Sequence, residues 1–221
     1  MNTNIFKWVL GGLSGIILWD LFFTDDVFVY IKKPFIEVTH FPPFKINGIT
    51  VNQYGKTVPY LKYEFEIVQS NGKYNVVLKK FEVTSIVYIN EDTSVFRPIE
   101  EFRQYFRPNR DYVHSDYDSS FNTFYGTIYH EKLHQDEFEI VFNEYKRKVK
   151  NDLKTFVSNN KDELSQRAKD YFEKIRLEFD GTAPNNVMNT PEAIKRHAEI
   201  DLKEWKHLHD LYVEARRKNG K

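Results

Sequence analysis

The chain has 221 residues, with 32 Lys plus Arg balancing 32 Asp plus Glu, so no net field draws it toward phosphate backbones, and nucleic acid is not an expected partner. Its 41% hydrophobic and 16% aromatic content excludes a disordered chain. The absence of Cys excludes disulfide staples, Cys-based zinc sites and thiol nucleophiles.

The first element in chain order is apolar. Residues 5–23 carry only two charges, Lys7 and Asp20, one near each end. At ~1.5 Å per residue, a run of roughly 20 such residues spans a ~30 Å hydrocarbon core. Lys7 and Asp20 reach headgroups from those positions, and Trp8 and Trp19 lie where an amphipathic indole prefers the membrane interface. Gly11 and Gly15 form a small-xxx-small pair that lets another helix approach closely. No small-x-small cleavage site follows, so the expectation is a retained single-pass transmembrane anchor over 1–26 with the lipid bilayer as a partner. Lys7 on one flank and Lys32, Lys33 and Lys45 on the other nearly tie, which leaves the orientation open.

Residues 27–135 read as a mainly antiparallel β region. Asn47-Gly48, between Phe44-Lys45-Ile46 and Ile49-Thr50-Val51, signals a tight hairpin because both turn positions tolerate positive φ. A longer hairpin is expected from Tyr60–Val68 to Tyr74–Ile89 around Ser70-Asn71-Gly72, extending an antiparallel meander. Pro98 to Phe106 predicts a short helix, 108–120 a surface loop, and the aromatic run Phe121 to Tyr129 one more strand.

Residues 136–221 read as a helical region packed on the sheet or extending from it. Phe138, Val141, Phe142, Tyr145, Val149, Leu153 and Phe156 recur at helical spacing. Leu164, Ala168, Tyr171, Phe172, Ile175 and Phe179 continue after Ser158-Asn159-Asn160, so one long helix and two shorter ones are both consistent with 136–179. Thr190-Pro191-Glu192 starts a further helix, with an expected buried face of Ile194, Ala198, Leu202, Trp205, Leu208 and Tyr212. The fold class is therefore α+β: a transmembrane helix, an antiparallel β meander, then two or three long amphipathic helices.

One catalytic spacing is present. His130-Glu131-Lys132-Leu133-His134 places two imidazoles on one helical face and resembles the zincin metalloprotease signature over five residues. That resemblance implies zinc on His130 and His134 with Glu131 as base. The family's motif helix is buried and mostly uncharged around the motif, whereas this chain has Lys132 and Asp136. The segment is read as a solvated loop or helix start at a strand–helix junction. His197 and Asp201 share a face by four-residue spacing, and with His207 and His209 they are read as the wet side of the last helix.

The expectation is thus no cofactor, no metal and no catalysis. The chain reads as a non-catalytic accessory or scaffold subunit of a multi-subunit membrane complex, at a mitochondrial inner membrane or a bacterial inner membrane, with the other subunits as partners. The alternatives are a membrane-tethered zinc metallopeptidase working through His130, Glu131 and His134, and a binding module of the bacterial envelope.

Overall fold

The computed structural model describes residues 25–46, 48–98, 123–180 and 191–218. The expected anchor over 1–26, with Lys7, Trp8, Gly11, Gly15, Trp19 and Asp20, lies outside the described residues apart from its last two positions. So do nearly all of the helix expected from Pro98 and the loop over 108–120. Among the described residues, no helix is long and apolar enough to cross a membrane.

Both turn-coded hairpins form. Strands β2 (Phe44–Ile46) and β3 (Ile49–Val51) pair antiparallel, with Gly48 at φ +80°. Strands β4 (Gly55–Ser70) and β5 (Lys73–Asn90) form the long hairpin, whose turn residues Asn71 and Gly72 take φ of 52° and 75°. Two consecutive positive-φ residues match the right-handed twist of the flanking strands, and Asn and Gly tolerate that conformation best.

The expected meander is corrected by β1 (Phe28–Thr39), which pairs parallel with β5 from Phe28↔Phe81 to Thr39↔Asn90. The main sheet is mixed, in the order β1-β5-β4 with β5 central. Alternating hydrophobicity specifies which face of a strand is buried, and direction is left to the crossing of the chain. The β1 register breaks between Lys32 and Ile36, around a Pro34 that has no N–H to give to the ladder.

Two helices pack on this sheet, and a third packs on the first of them. The strand expected at Phe121–Tyr129 is also corrected, because residues 124–129 open helix α1 (Phe124–Leu153). Thr123 caps it, its Oγ1 accepting from the Gly126 amide at 3.1 Å. The aromatic and β-branched run favours a strand locally, but the buried stripe of α1 continues back through it as Thr127, Glu131, His134 and Gln135. Those residues are polar, so the helical period is invisible to a hydrophobicity reading.

The chain then leaves the helix for strand β6 (Val157–Ser158), which pairs with Tyr74 and Asn75 of β5. Residues 136–179 therefore hold two helices, the second being α2 (Lys161–Asp180). Asn160 Oδ1 accepts from the Asp162 and Glu163 amides at 3.0 and 3.2 Å, and so starts α2. Its expected face is buried as Leu164, Ala168, Phe172, Ile175 and Phe179. These residues join Phe81 and Val83 of β5 and Phe138, Val141, Phe142 and Val149 of α1 in the main core.

Helix α3 (Pro191–Lys218) packs against α1, and its face differs from the expected one. Trp205 and Leu208 are buried as expected, but Ile194 is 62% exposed and Ala198 is also exposed. The positions turned inward are Ala193, Ile200, Asp201 and Glu204.

Candidate metal centre between two helices

The motif helix is held to the sheet at the turn that carries Glu131. Thr57 of β4 shares its hydroxyl proton between the Glu131 carboxylate Oε2 and the Glu131 backbone oxygen, each 2.7 Å away. Gly55 lets β4 approach this turn: a Cβ there would stand 2.8 Å from Thr127 Cγ2 and 3.0 Å from Glu131 Cγ. One residue beyond the motif, Gln135 donates to the Ser85 backbone oxygen at 3.1 Å, and the Tyr30 hydroxyl donates to the Gln135 oxygen at 2.6 Å. The Tyr30 phenol is raised above its ordinary value, chiefly by burial.

The motif thus occupies the second and third turns of a packed helix, which corrects the reading of it as a solvated strand–helix junction. Glu131 and His134 are buried. The wet side expected for His197 and Asp201 is corrected as well, since Asp201 is buried and His197 is half-buried against α1. His207 stacks on Tyr129 and His209 on Trp205, so both are engaged in ring packing.

Two stripes with the same i, i+4, i+7 spacing meet in the seam between the helices. Helix α1 presents His130, His134 and Glu137; α3 presents His197, Asp201 and Glu204. The helices run antiparallel, so His130 meets Glu204 (Nδ1 to Oε2, 2.8 Å) and Glu137 meets His197 (Oε2 to Nδ1, 3.5 Å). Between these ends, His134 Nδ1 stands 3.1 Å from Glu137 Oε2, and His134 Nε2 stands 2.9 Å from His130 Nε2. Each of the three imidazoles therefore has its Nδ1 beside a buried carboxylate.

The electrostatics of the seam favour a cation. Glu131, Glu137, Asp201 and Glu204 are all buried, and the Arg196 guanidinium meets them at 3.5 Å from Glu137. Buried carboxylates in such excess need compensation, by protonated imidazole or by a bound ion. Burial pulls His130 down, but the Glu204 hydrogen bond and the Glu204, Glu131 and Asp201 charges reverse this and leave it raised. His134 is lowered, chiefly by burial, with the charge interactions of His130 and His197 adding to this against the opposing bond to Glu137. Burial would raise Glu137, yet its contacts with His134 and His197 outweigh that and hold it at about 2.

His134, Glu137 and His197 place one ligand atom each within 4.8 Å of one another, a His₂Glu donor set of the kind that suits zinc. A cleft of about 70 Å³, lined by residues including Leu133, Glu137 and Arg196, opens beside this group between α1 and α3.

No family model matches the chain, and neither a curated protein nor a solved structure matches it. The motif was legible as a spacing. His197, Asp201 and Glu204 carried a signal too, their repetition of the α1 spacing, but it acquires meaning only once the two helices face each other.

Proposed function

We propose that this chain is a metal-dependent hydrolase of the HExxH class, tethered to a membrane by its N-terminal segment and acting on peptide bonds. One observation carries the reading: on a packed helix, His130 and His134 turn Nε2 toward each other at 2.9 Å while Glu204 and Glu137 occupy their Nδ1 positions. A carboxylate on Nδ1 fixes the tautomer and orientation of a metal-binding imidazole and raises its basicity. The packing of α1 against β4 answers the objections of exposure and a junction position, while Lys132 and Asp136 stay as exposed charges beside the motif.

A divalent ion held by these imidazoles would supply Lewis acidity to a carbonyl and make water acidic at neutral pH. Glu131 holds the motif position of the base and would accept the proton of such a water, with Thr57 holding its carboxylate from the sheet side. The resemblance of the five-residue motif to the zincin signature supports peptides as the substrate class. The test is incubation of the zinc-loaded full chain with a quenched fluorescent peptide library. Cleavage that stops with a chelator supports the reading; absent zinc uptake together with absent cleavage overturns it.

The apolar segment over 5–23 supports the tether. Its removal should release the protein from carbonate-washed membranes, and a full-length chain that stays dispersed without detergent overturns that part.

A second reading, the accessory subunit of a membrane complex, is favoured by the β1 edge. Phe35, within the register break, is 81% exposed, and Val38, beyond it, is 67% exposed. Such apolar groups on an edge strand suit a protein partner. Purification in mild detergent tests it, and migration as a lone small species counts against it.

A further inference from the structure

Cations and acids balance over the whole chain, yet one stretch departs from that balance. Residues 145–154, the last turns of α1 and its C-cap, carry Lys146, Arg147, Lys148, Lys150 and Lys154 against a single acid, Asp152. The Tyr171 hydroxyl engages the Asp152 carboxylate at 2.7 Å. The helix dipole favours cations in the last turn, which accounts for Lys150 and Lys154 but not for the three that precede them. Helix α2 interleaves its cations with acids over its whole length, so the segregation is particular to α1.

The fold brings this stretch to the point where the chain enters the domain. Lys146 and Lys150 hold their Nζ atoms 5.8 and 5.5 Å from the ring centroid of Phe28, the first residue of β1. Phe28 follows Phe23, the end of the apolar run, by five residues. At no more than ~3.6 Å per residue, that stretch of chain spans at most about 18 Å. Headgroups extend roughly 5–8 Å beyond the hydrocarbon on each side, and screening at physiological salt acts over ~8 Å. A tether over 5–23 therefore holds these cations within electrostatic reach of the lipid headgroups. Asp25 and Asp26 stand at the same entry point, so with Asp152 three acids oppose five cations and the excess is positive. Arg147, Lys148 and Lys154 are exposed.

We infer that the C-terminal end of α1 is a docking face for an anionic bilayer surface. Arg147, Lys148 and Lys154, with Lys146 and Lys150 beside the tether, lie against the negatively charged headgroups of the leaflet from which the chain emerges. This rests on the tether reading and deepens it by naming the lipid chemistry. It also decides the orientation, which the Lys residues flanking the apolar run leave tied: the domain belongs on the side whose leaflet carries anionic lipid. Each basic residue at such a surface is worth roughly fivefold, and the tether makes docking intramolecular, so a few weak contacts suffice.

The experiment uses the full chain reconstituted into vesicles of phosphatidylcholine alone, or of phosphatidylcholine mixed with phosphatidylserine. The chain has no Cys, so one introduced Cys carries a fluorophore whose quenching by headgroup-labelled lipid reads its distance from the surface. Asn143→Cys, exposed one turn before Arg147, is the reporter. Tyr125→Cys, 74% exposed and ~27 Å away along α1, is the reference. Quenching at 143 should be stronger with phosphatidylserine and should fall to the neutral-lipid level near ~1 M salt, where screening acts over ~3 Å. The reference should change less. Arg147→Gln, Lys148→Gln and Lys154→Gln together should lower the docked-to-free ratio roughly 100-fold and so erase the difference between the two lipids. Circular dichroism checks that this variant keeps its helix content; if it does not, Lys146→Gln with Lys150→Gln and the salt dependence of the wild type carry the test. An incorporated chain whose reporter is quenched equally in both lipids, or a folded triple variant that keeps the lipid dependence, overturns the inference and leaves the tether standing. A chain that does not incorporate into vesicles overturns both.

Discussion

His130 and His134 stand one turn apart on α1 with their Nε2 atoms 2.9 Å from each other, and each turns Nδ1 to a carboxylate that the fold has buried. With both Nδ1 protons given to carboxylates, a proton between the two Nε2 atoms leaves the pair sharing one positive charge. The arrangement therefore presents two nitrogens to one point in space, and the carboxylates behind them stop either ring from turning away.

Glu131→Gln separates binding from chemistry. Gln keeps the shape of the side chain and an oxygen for Thr57, but it cannot act as a base. Peptide cleavage should fall by roughly 10²–10⁴-fold with zinc stoichiometry unchanged, as read by initial rates and metal analysis on the same preparation. Retained activity would remove Glu131 from the proton-transfer role.

Glu204→Gln tests the carboxylate behind His130. Glu204 is 1% exposed, and its Oε2 stands 2.8 Å from His130 Nδ1. Replacement by a neutral amide should weaken zinc binding by about 10–100-fold, measured by competition with a chromophoric chelator. An unchanged affinity would mean that the His130 orientation is set elsewhere.

Gly126→Ala probes how closely α3 sits on α1. The added Cβ would stand 2.7 Å from Thr123 Oγ1, 2.8 Å from Leu208 Cδ2 and 3.1 Å from Glu204 Oε1. Helix propensity favours Ala by up to ~1 kcal/mol, whereas overpacking costs typically ~1–3 kcal/mol. The clash should win, lowering Tm and loosening α3. A raised Tm would show that the seam yields easily.

Phe172→Ala tests the main core independently of the metal. The ring is fully buried and lies 5.0 Å from Tyr63 and 5.5 Å from Phe65, centroid to centroid. Its loss should cost about 3–5 kcal/mol in chemical denaturation, with an unchanged m-value. A cost below about 1 kcal/mol would mean that α2 is not integral to the domain.

Local physics made several elements legible in the chain alone. Asn71-Gly72 codes a two-residue turn because both residues accept positive φ, and the alternation on either side codes the strands it joins. Leu164, Ala168, Phe172, Ile175 and Phe179 code the buried face of α2 by their spacing, and each is buried. The His130–His134 pair was visible for the same reason, since four-residue spacing on a helix is a local relation.

Long-range relations were decided only by the tertiary structure. Nothing in β1 states that it runs parallel to β5, because strand direction depends on where the chain crosses. The first turns of α1 resemble a strand because their buried residues, from Thr127 to Gln135, are polar and break the apolar period. The same cause misdirects the face of α3: Asp201 and Glu204 count as solvent-facing until His130 on another helix stands opposite them. A charged residue is buried only when its partner is buried with it. That partner lies some seventy residues away along the chain, so the centre between α1 and α3 comes into being only when the two helices pack.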